Sequence, residues 1–132
     1  MLRLFYFSYF YVVKRTLILG ASPNPQRYAY KATLMLSKYN HPVFPVGLRK
    51  GKIEEHTILT DTPTIENIDT LTLYVGPKNQ VVYYDYILNK INPKRIIFNP
   101  GTENPELEEM AKKKGIETEI ACTLVLLSIN NY

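Results

Sequence analysis

Gly20, Ser22 and Arg27 are the residues of this 132-residue chain whose types and spacing best suit recognition of an anion. They fall in Gly20-Ala21-Ser22-Pro23-Asn24-Pro25 and its continuation, between an apolar run at 16–20 and a helical pattern over 27–38. A strand that ends in glycine and turns into a helix places backbone N–H groups at a helix N-terminus, a ready anion site. Glycine lets a phosphate-bearing ligand approach the backbone, the Ser22 hydroxyl can donate to a phosphate oxygen, and Arg27 can add a forked cationic contact. Because the full GxGxxG fingerprint is absent, the same residues also fit a plain strand-to-helix turn capped by Ser22.

A second group narrows the ligand. Dinucleotide folds that prefer NAD carry an acid at the end of the second strand, but here the chain reads Pro45-Val46-Gly47-Leu48-Arg49-Lys50, with Lys52 following. Basic residues at this point favour a ligand with an extra phosphate on its adenosine ribose: coenzyme A with a 3′-phosphate or NADP with a 2′-phosphate. A solvated basic loop is the plainer alternative.

Other reactive residues are sparse. His41 and His56 are isolated, the four serines show no pairing with a base, and Glu106, Glu108 and Glu109 read as first-turn charges that complement a helix dipole. A lone cysteine excludes an internal disulfide and a cysteine-cluster zinc site, and suits a reducing cytoplasm. That residue, Cys122, falls where a strand meets a helix, a position that can lower a thiol pKa, although free cysteines more often act as small buried hydrophobes.

These residues must be positioned by the elements around them. From Lys14 onward, short apolar runs alternate with helical patterns, which marks an α/β chain with a parallel sheet covered on both faces. The spacing predicts strands at 16–20, 42–46, 71–75, 95–99 and 117–121, the second at or near an edge because of Pro45. Helices are expected over 27–38, with Ala29, Ala32 and Leu36 inward, and over 79–91, with Val81, Tyr84, Leu88 and Ile91 on one face. A short extended piece at 57–60 and a brief helical turn at 64–68 are expected between them. The clearest punctuation follows: Asn104 as N-cap, Pro105 at the first position, Lys112 to Lys114 late and Gly115 as stop. An apolar helix at 123–129 closes the chain.

At 132 residues one hydrophobic core is expected, and 45% hydrophobic with 21% charged residues is an ordinary globular composition. The net charge of +4 is spread along the chain, so nucleic acid is not expected as a partner. Residues 1–13 hold six of the sixteen Phe and Tyr residues with Arg3 as the only charge. The apolar run 4–13 is too short to span a bilayer, which takes about 20 residues. This extension reads as a start-site artefact or tail, a packed arm, or an interfacial anchor, while residues 14–132 read as a complete domain.

Taken together, the motifs resemble the small single-domain CoA-binding proteins, related to the CoA-binding domain of the succinyl-CoA synthetase α subunit. The likeness is carried by Gly20-Ala21-Ser22 with Asn24-Pro25 and Arg27-Tyr28, by Pro45-Val46-Gly47, by Asn99-Pro100-Gly101-Thr102-Glu103-Asn104, and by Ala121-Cys122-Thr123-Leu124-Val125-Leu126-Leu127. It implies a Rossmann-like three-layer sandwich with a mainly parallel five-stranded sheet, holding CoA across the carboxyl ends of its strands. Gly20, Ala21, Ser22, Asn24 and Arg27 would serve the phosphates. Pro45, Val46 and Gly47 with Arg49 or Lys50 would flank the adenosine and its 3′-phosphate. Val75, Gly76, Pro77 and Asn79 would border the adenine or pyrophosphate, and Asn99, Pro100 and Gly101 the pantetheine arm. The chain has Gly47-Leu48 where many relatives carry an Asn-Pro pair.

The related synthetases phosphorylate a histidine in a following domain that has no counterpart here, so ligase activity is not expected of this polypeptide alone. The expected function is a non-catalytic cytoplasmic module that binds CoA or an acyl-CoA, as a sensor, a homodimer or a partner subunit. The alternatives are an NADP-dependent oxidoreductase or a subunit of a larger acyl-CoA-handling enzyme, and a nucleotide-independent interaction domain.

Overall fold

Thr16–Leu19 form the interior strand β1, and all four residues are buried, as a strand covered on both faces requires. The computed structural model describes residues 12–132. The aromatic extension expected over 1–13 therefore lies, for residues 1–11, outside the described residues, while Val12 and Val13 are exposed.

On one side of β1 runs β2 (Val43–Val46), followed in the chain by a short antiparallel pair, β3 (Lys52–Ile53) and β4 (His56–Thr57). On its other side runs β5 (Thr70–Leu73), then β6 (Arg95–Phe98) and β7 (Glu117–Ile120). The five-stranded sheet has the order β2-β1-β5-β6-β7 and is parallel throughout. β2 is an edge strand, where the missing N–H of Pro45 is tolerated. The expected extended piece at 57–60 is present as β4 and as a parallel bridge from Leu59 to Val46.

Side chains alternate across the sheet with period two. Leu17, Leu19, Leu71, Leu73, Ile96 and Phe98 enter one core layer, against Tyr86, Ile87, Leu88, Ile91, Leu107 and Ala111. Ile18 enters the other, against Ala29, Leu36, Ile53, Ile58 and Leu127. Burial of each large aliphatic or aromatic side chain contributes roughly 1.5–3 kcal/mol, so the three-layer arrangement rests on this alternation.

Helix α1 (Tyr28–Lys38) buries Ala29, Ala32, Thr33 and Leu36, and its small residues let it lie close to the sheet. α2 (Pro77–Gln80) follows β5, α3 (Pro105–Lys113) follows β6, and α4 (Thr123–Ser128) packs beside α1. The punctuation of α3 is as expected: Asn104 Oδ1 accepts from the N–H groups of Glu106 and Leu107, and Gly115 takes a left-handed φ of +79°. Such a cap is worth about 1 kcal/mol.

Two local expectations are corrected. The segment 79–91 is not one regular helix. α2 passes into a 3₁₀ turn at Val81–Tyr83 and then a π turn at Tyr86–Ile91. Val81 is exposed, and the inward residues are Tyr86, Ile87, Leu88 and Ile91. Three consecutive buried side chains do not fit one stripe of an α-helix, and the i→i+5 pattern accommodates them by shifting the face. The brief helix at 64–68 is also absent, because the Arg15 guanidinium takes the carbonyls of Asn67 and Glu66, each at 3.0 Å.

At the amino rim of the sheet, His41 Nδ1 accepts the Lys14 N–H at 2.9 Å. Burial first, then the nearby Lys14 and Arg95 charges, lower the His41 pKa below its ordinary 6.5.

Candidate functional site

All five strands end at the same rim, and the connections leaving β1 and β5 pass to opposite faces, so a crevice opens between these two strands. The crevice is a cleft of about 640 Å³, within the size range of small-molecule sites. Four loops line it.

The first loop joins β1 to α1. Gly20 sits at φ +100°, and a Cβ there would come within 2.9 Å of the Tyr74 carbonyl group, so only glycine lets the ends of β1 and β5 meet. The Gly20 and Ala21 N–H groups both donate to the Val46 carbonyl, at 3.0 and 2.9 Å. Asn24 N–H is taken by Ser22 Oγ and Gln26 N–H by Asn24 Oδ1, while Arg27 N–H bonds the Asn24 carbonyl. Gly20, Ala21, Ser22, Asn24 and Arg27 all line the cleft, and the N–H donors left open in this loop are those of Ser22, Tyr28 and Ala29. Ser22 builds the turn and does not cap α1, whose N-cap is Arg27.

The second loop brings Gly47, Leu48 and Arg49 to the cleft. Pro45 and Val46 lie beneath it, buried in β2, where the Val46 carbonyl holds the first loop in place. Lys50 is exposed and outside the lining, so the two basic neighbours are not equivalent.

From the third loop come Tyr74, Val75, Gly76 and Asn79, whereas Pro77 is spent as the first residue of α2. The Tyr74 hydroxyl is buried beside Thr72 and Thr123, and burial pushes its pKa up.

The fourth loop supplies Pro100, Gly101 and Thr102. Asn99, expected beside a ligand, is buried and spends its side chain internally: Nδ2 donates to Thr72 Oγ1 (2.7 Å) and the Leu73 carbonyl (2.9 Å), and Oδ1 accepts the Thr123 N–H (2.9 Å). Gln80 ties this loop to the third. Its Nε2 donates to the Val75 and Thr102 carbonyls, both at 2.8 Å, and its Oε1 accepts Asn104 Nδ2 at 2.7 Å.

Several lining residues were not anticipated. Gln26, Tyr28 and Ala29 follow from the first turn of α1, and Leu48 and Tyr74 adjoin expected positions, so proximity in sequence could have found them. Tyr83 enters through the 3₁₀ turn, which no periodicity signals. It also borders a second cleft of about 430 Å³, which shares Gly47, Leu48 and Tyr83 with the first.

The electrostatics are one-sided. Arg27 and Arg49 line the main cleft, and the described lining contains no Asp or Glu. His41, His56 and Cys122 lie outside that lining. His56 Nε2 faces Ser37 Oγ at 3.1 Å, and Cys122 is the half-buried N-cap of α4.

Residues 14–128 match the family described as a CoA binding domain. The chain belongs to that family. A crystal structure of an uncharacterized protein, 51% identical, superposes with a TM-score of 0.89 over 92% of this chain and 99% of the other. The PH1109 protein redesigned for binding is 20% identical, with a TM-score of 0.78 over 92% of this chain and 86% of its own. A Thermus thermophilus protein, cell-free ID.343, is 22% identical, with a TM-score of 0.79 over the full length of both chains. The last two show the shared Rossmann-like fold alone. No curated protein matches the chain. For this CoA-binding family member, CoA is the cofactor class that the family supports, and no helix among the described residues is long and apolar enough to cross a membrane.

Proposed function

We propose that the main cleft binds coenzyme A or an acyl-CoA and that the chain acts as a non-catalytic cytoplasmic module presenting or sensing that ligand. The observation that carries the reading is the charge of the cleft: two arginines, three open backbone N–H groups in its first loop and no carboxylate in the described lining of a CoA-binding family member. The diphosphate would rest on the Ser22 N–H and the N-terminus of α1, with Arg27 beside it. Arg49 would meet the 3′-phosphate at the end of β2, and the neutral pantetheine arm, in place of the adenine or pyrophosphate expected there from the resemblance, would lie along Val75-Gly76 with Pro100-Gly101-Thr102 across from it. Gly20, Ala21, Asn24, Gly47 and Asn79 would give the walls. A carrier role is supported because the aliphatic hydroxyls of the lining serve the loops themselves: Ser22 Oγ accepts the Asn24 N–H and Thr102 Oγ1 donates to the Asn99 carbonyl.

Thermal unfolding with CoA, acetyl-CoA, dephospho-CoA, NADP, NAD and ATP tests the reading. A ligand at a hundred times its Kd stabilises the native state by about 2.7 kcal/mol, a rise in Tm on the order of 10 °C for a domain of this size. CoA and acetyl-CoA are expected to give that rise and NADP not; a rise with NADP alone rejects the proposal.

A further inference from the structure

We infer that Gln80 is a positioning residue for the pantetheine half of the ligand, an inference that rests on the CoA reading above. Gln80 lies in α2, outside the cleft lining, and is fully buried. Its amide nevertheless holds both walls of one half of the cleft: the two Nε2 hydrogens go to the carbonyls of Val75 and Thr102, each at 2.8 Å. The amide is oriented from behind, because Oε1 accepts from Asn104 Nδ2 at 2.7 Å. Asn104 is itself locked. Its Oδ1 caps α3 and its Nδ2 also donates to Tyr84 Oη at 2.8 Å, while Tyr84 donates to Glu106 at 2.9 Å.

One side chain thus sets the separation of the third and fourth loops, and a buried amide with both donors used and its oxygen accepting has a single orientation. The first and second loops, which carry Ser22, Arg27 and Arg49, are held to each other instead by the Val46 carbonyl and by the close approach of Gly47 to Ala21. Gln80 has no part in that support. Loss of the Gln80 amide should loosen the half that meets pantetheine and leave the half that meets the adenosine phosphates.

The test is Gln80→Met, which keeps length without donors, titrated calorimetrically with CoA and with adenosine 3′,5′-bisphosphate, the fragment that lacks pantetheine. Affinity for CoA is expected to fall at least tenfold while affinity for the bisphosphate stays within about twofold of wild type. Parallel loss of both, or loss of neither, overturns the inference. If Gln80→Met does not fold, Gln80→Glu, which keeps the shape, gives the same comparison, and failure of both variants to fold assigns the amide to stability and overturns the positioning role. Failure of the wild-type protein to bind either ligand instead overturns the CoA reading itself.

Discussion

Gly47 lies against Ala21 so closely that a Cβ on Gly47 would overlap the Ala21 carbonyl oxygen. The contact joins the loop after β2 to the loop after β1, and thereby the part of the cleft carrying Arg49 to the part carrying Ser22. Gly47→Ala has no backbone-torsion reason to fail, so its cost is steric, about 1–3 kcal/mol as for other overpacked sites. Urea unfolding should show that loss. Gly76→Ala is the control, since a Cβ there meets nothing within 4 Å; equal destabilisation of the two would deny the close approach its importance.

Arg27 and Arg49 line the cleft from different loops, and Lys50 does not line it. Arg49→Ala should weaken CoA about tenfold and dephospho-CoA far less, the loss of one charge-assisted contact. Arg27→Ala should weaken both ligands alike, and Lys50→Ala neither. Titration with the two ligands separates these outcomes, and a Lys50 variant that loses CoA selectively would move the 3′-phosphate away from Arg49.

Asn99→Ala removes the acceptor of the buried Thr123 N–H, while Thr72 Oγ1 keeps Thr123 Oγ1 as a partner at 2.7 Å. Stranding the N–H costs about 1–3 kcal/mol, so the midpoint in urea should fall clearly. CoA affinity measured below the transition should change little. The opposite pattern, weak binding in a stable protein, would put Asn99 in contact with the ligand.

The lowered pKa of His41 carries a sign for stability. The unfolded chain takes up a proton near the ordinary value of 6.5, whereas the folded protein holds the ring neutral to lower pH. The unfolded state binds more protons in that window, so stability is full above about pH 6.5 and falls as acidification approaches the folded pKa. Protonation also consumes Nδ1, the acceptor of the Lys14 N–H. His41→Asn should flatten this part of the profile of Tm between pH 7 and 5; an unchanged slope would exclude His41 as its source.

The strands and the ends of α3 were legible because they depend on local signals: apolar runs of strand length, Asn104 before Pro105, and Gly115 where a left-handed residue is needed. Edge placement of β2 followed from Pro45 for the same reason. The first loop was legible as a surface but not as a set of donors, since the use of the Gly20 and Ala21 N–H groups by Val46 is a pairing across 25 or more positions that no local pattern encodes. The inward turn of Asn99 was not legible, because an Asn-Pro-Gly turn looks the same whether its amide faces a ligand or the core, and the tertiary placement of Thr72 and Thr123 draws it in. Periodicity failed over 79–91 because tertiary contacts there draw in Gln80 and then three neighbours in a row.

The π turn at Tyr86–Ile91, which follows the 3₁₀ turn carrying Tyr83, takes up an extra residue per turn relative to a regular α-helix. Chain length is therefore a free variable in this one segment: removal of a residue can be absorbed by reversion to α turns, with β5 and β6 staying in register. Relatives that differ by single insertions or deletions in this segment can recut the rim of the cleft on an unchanged sheet.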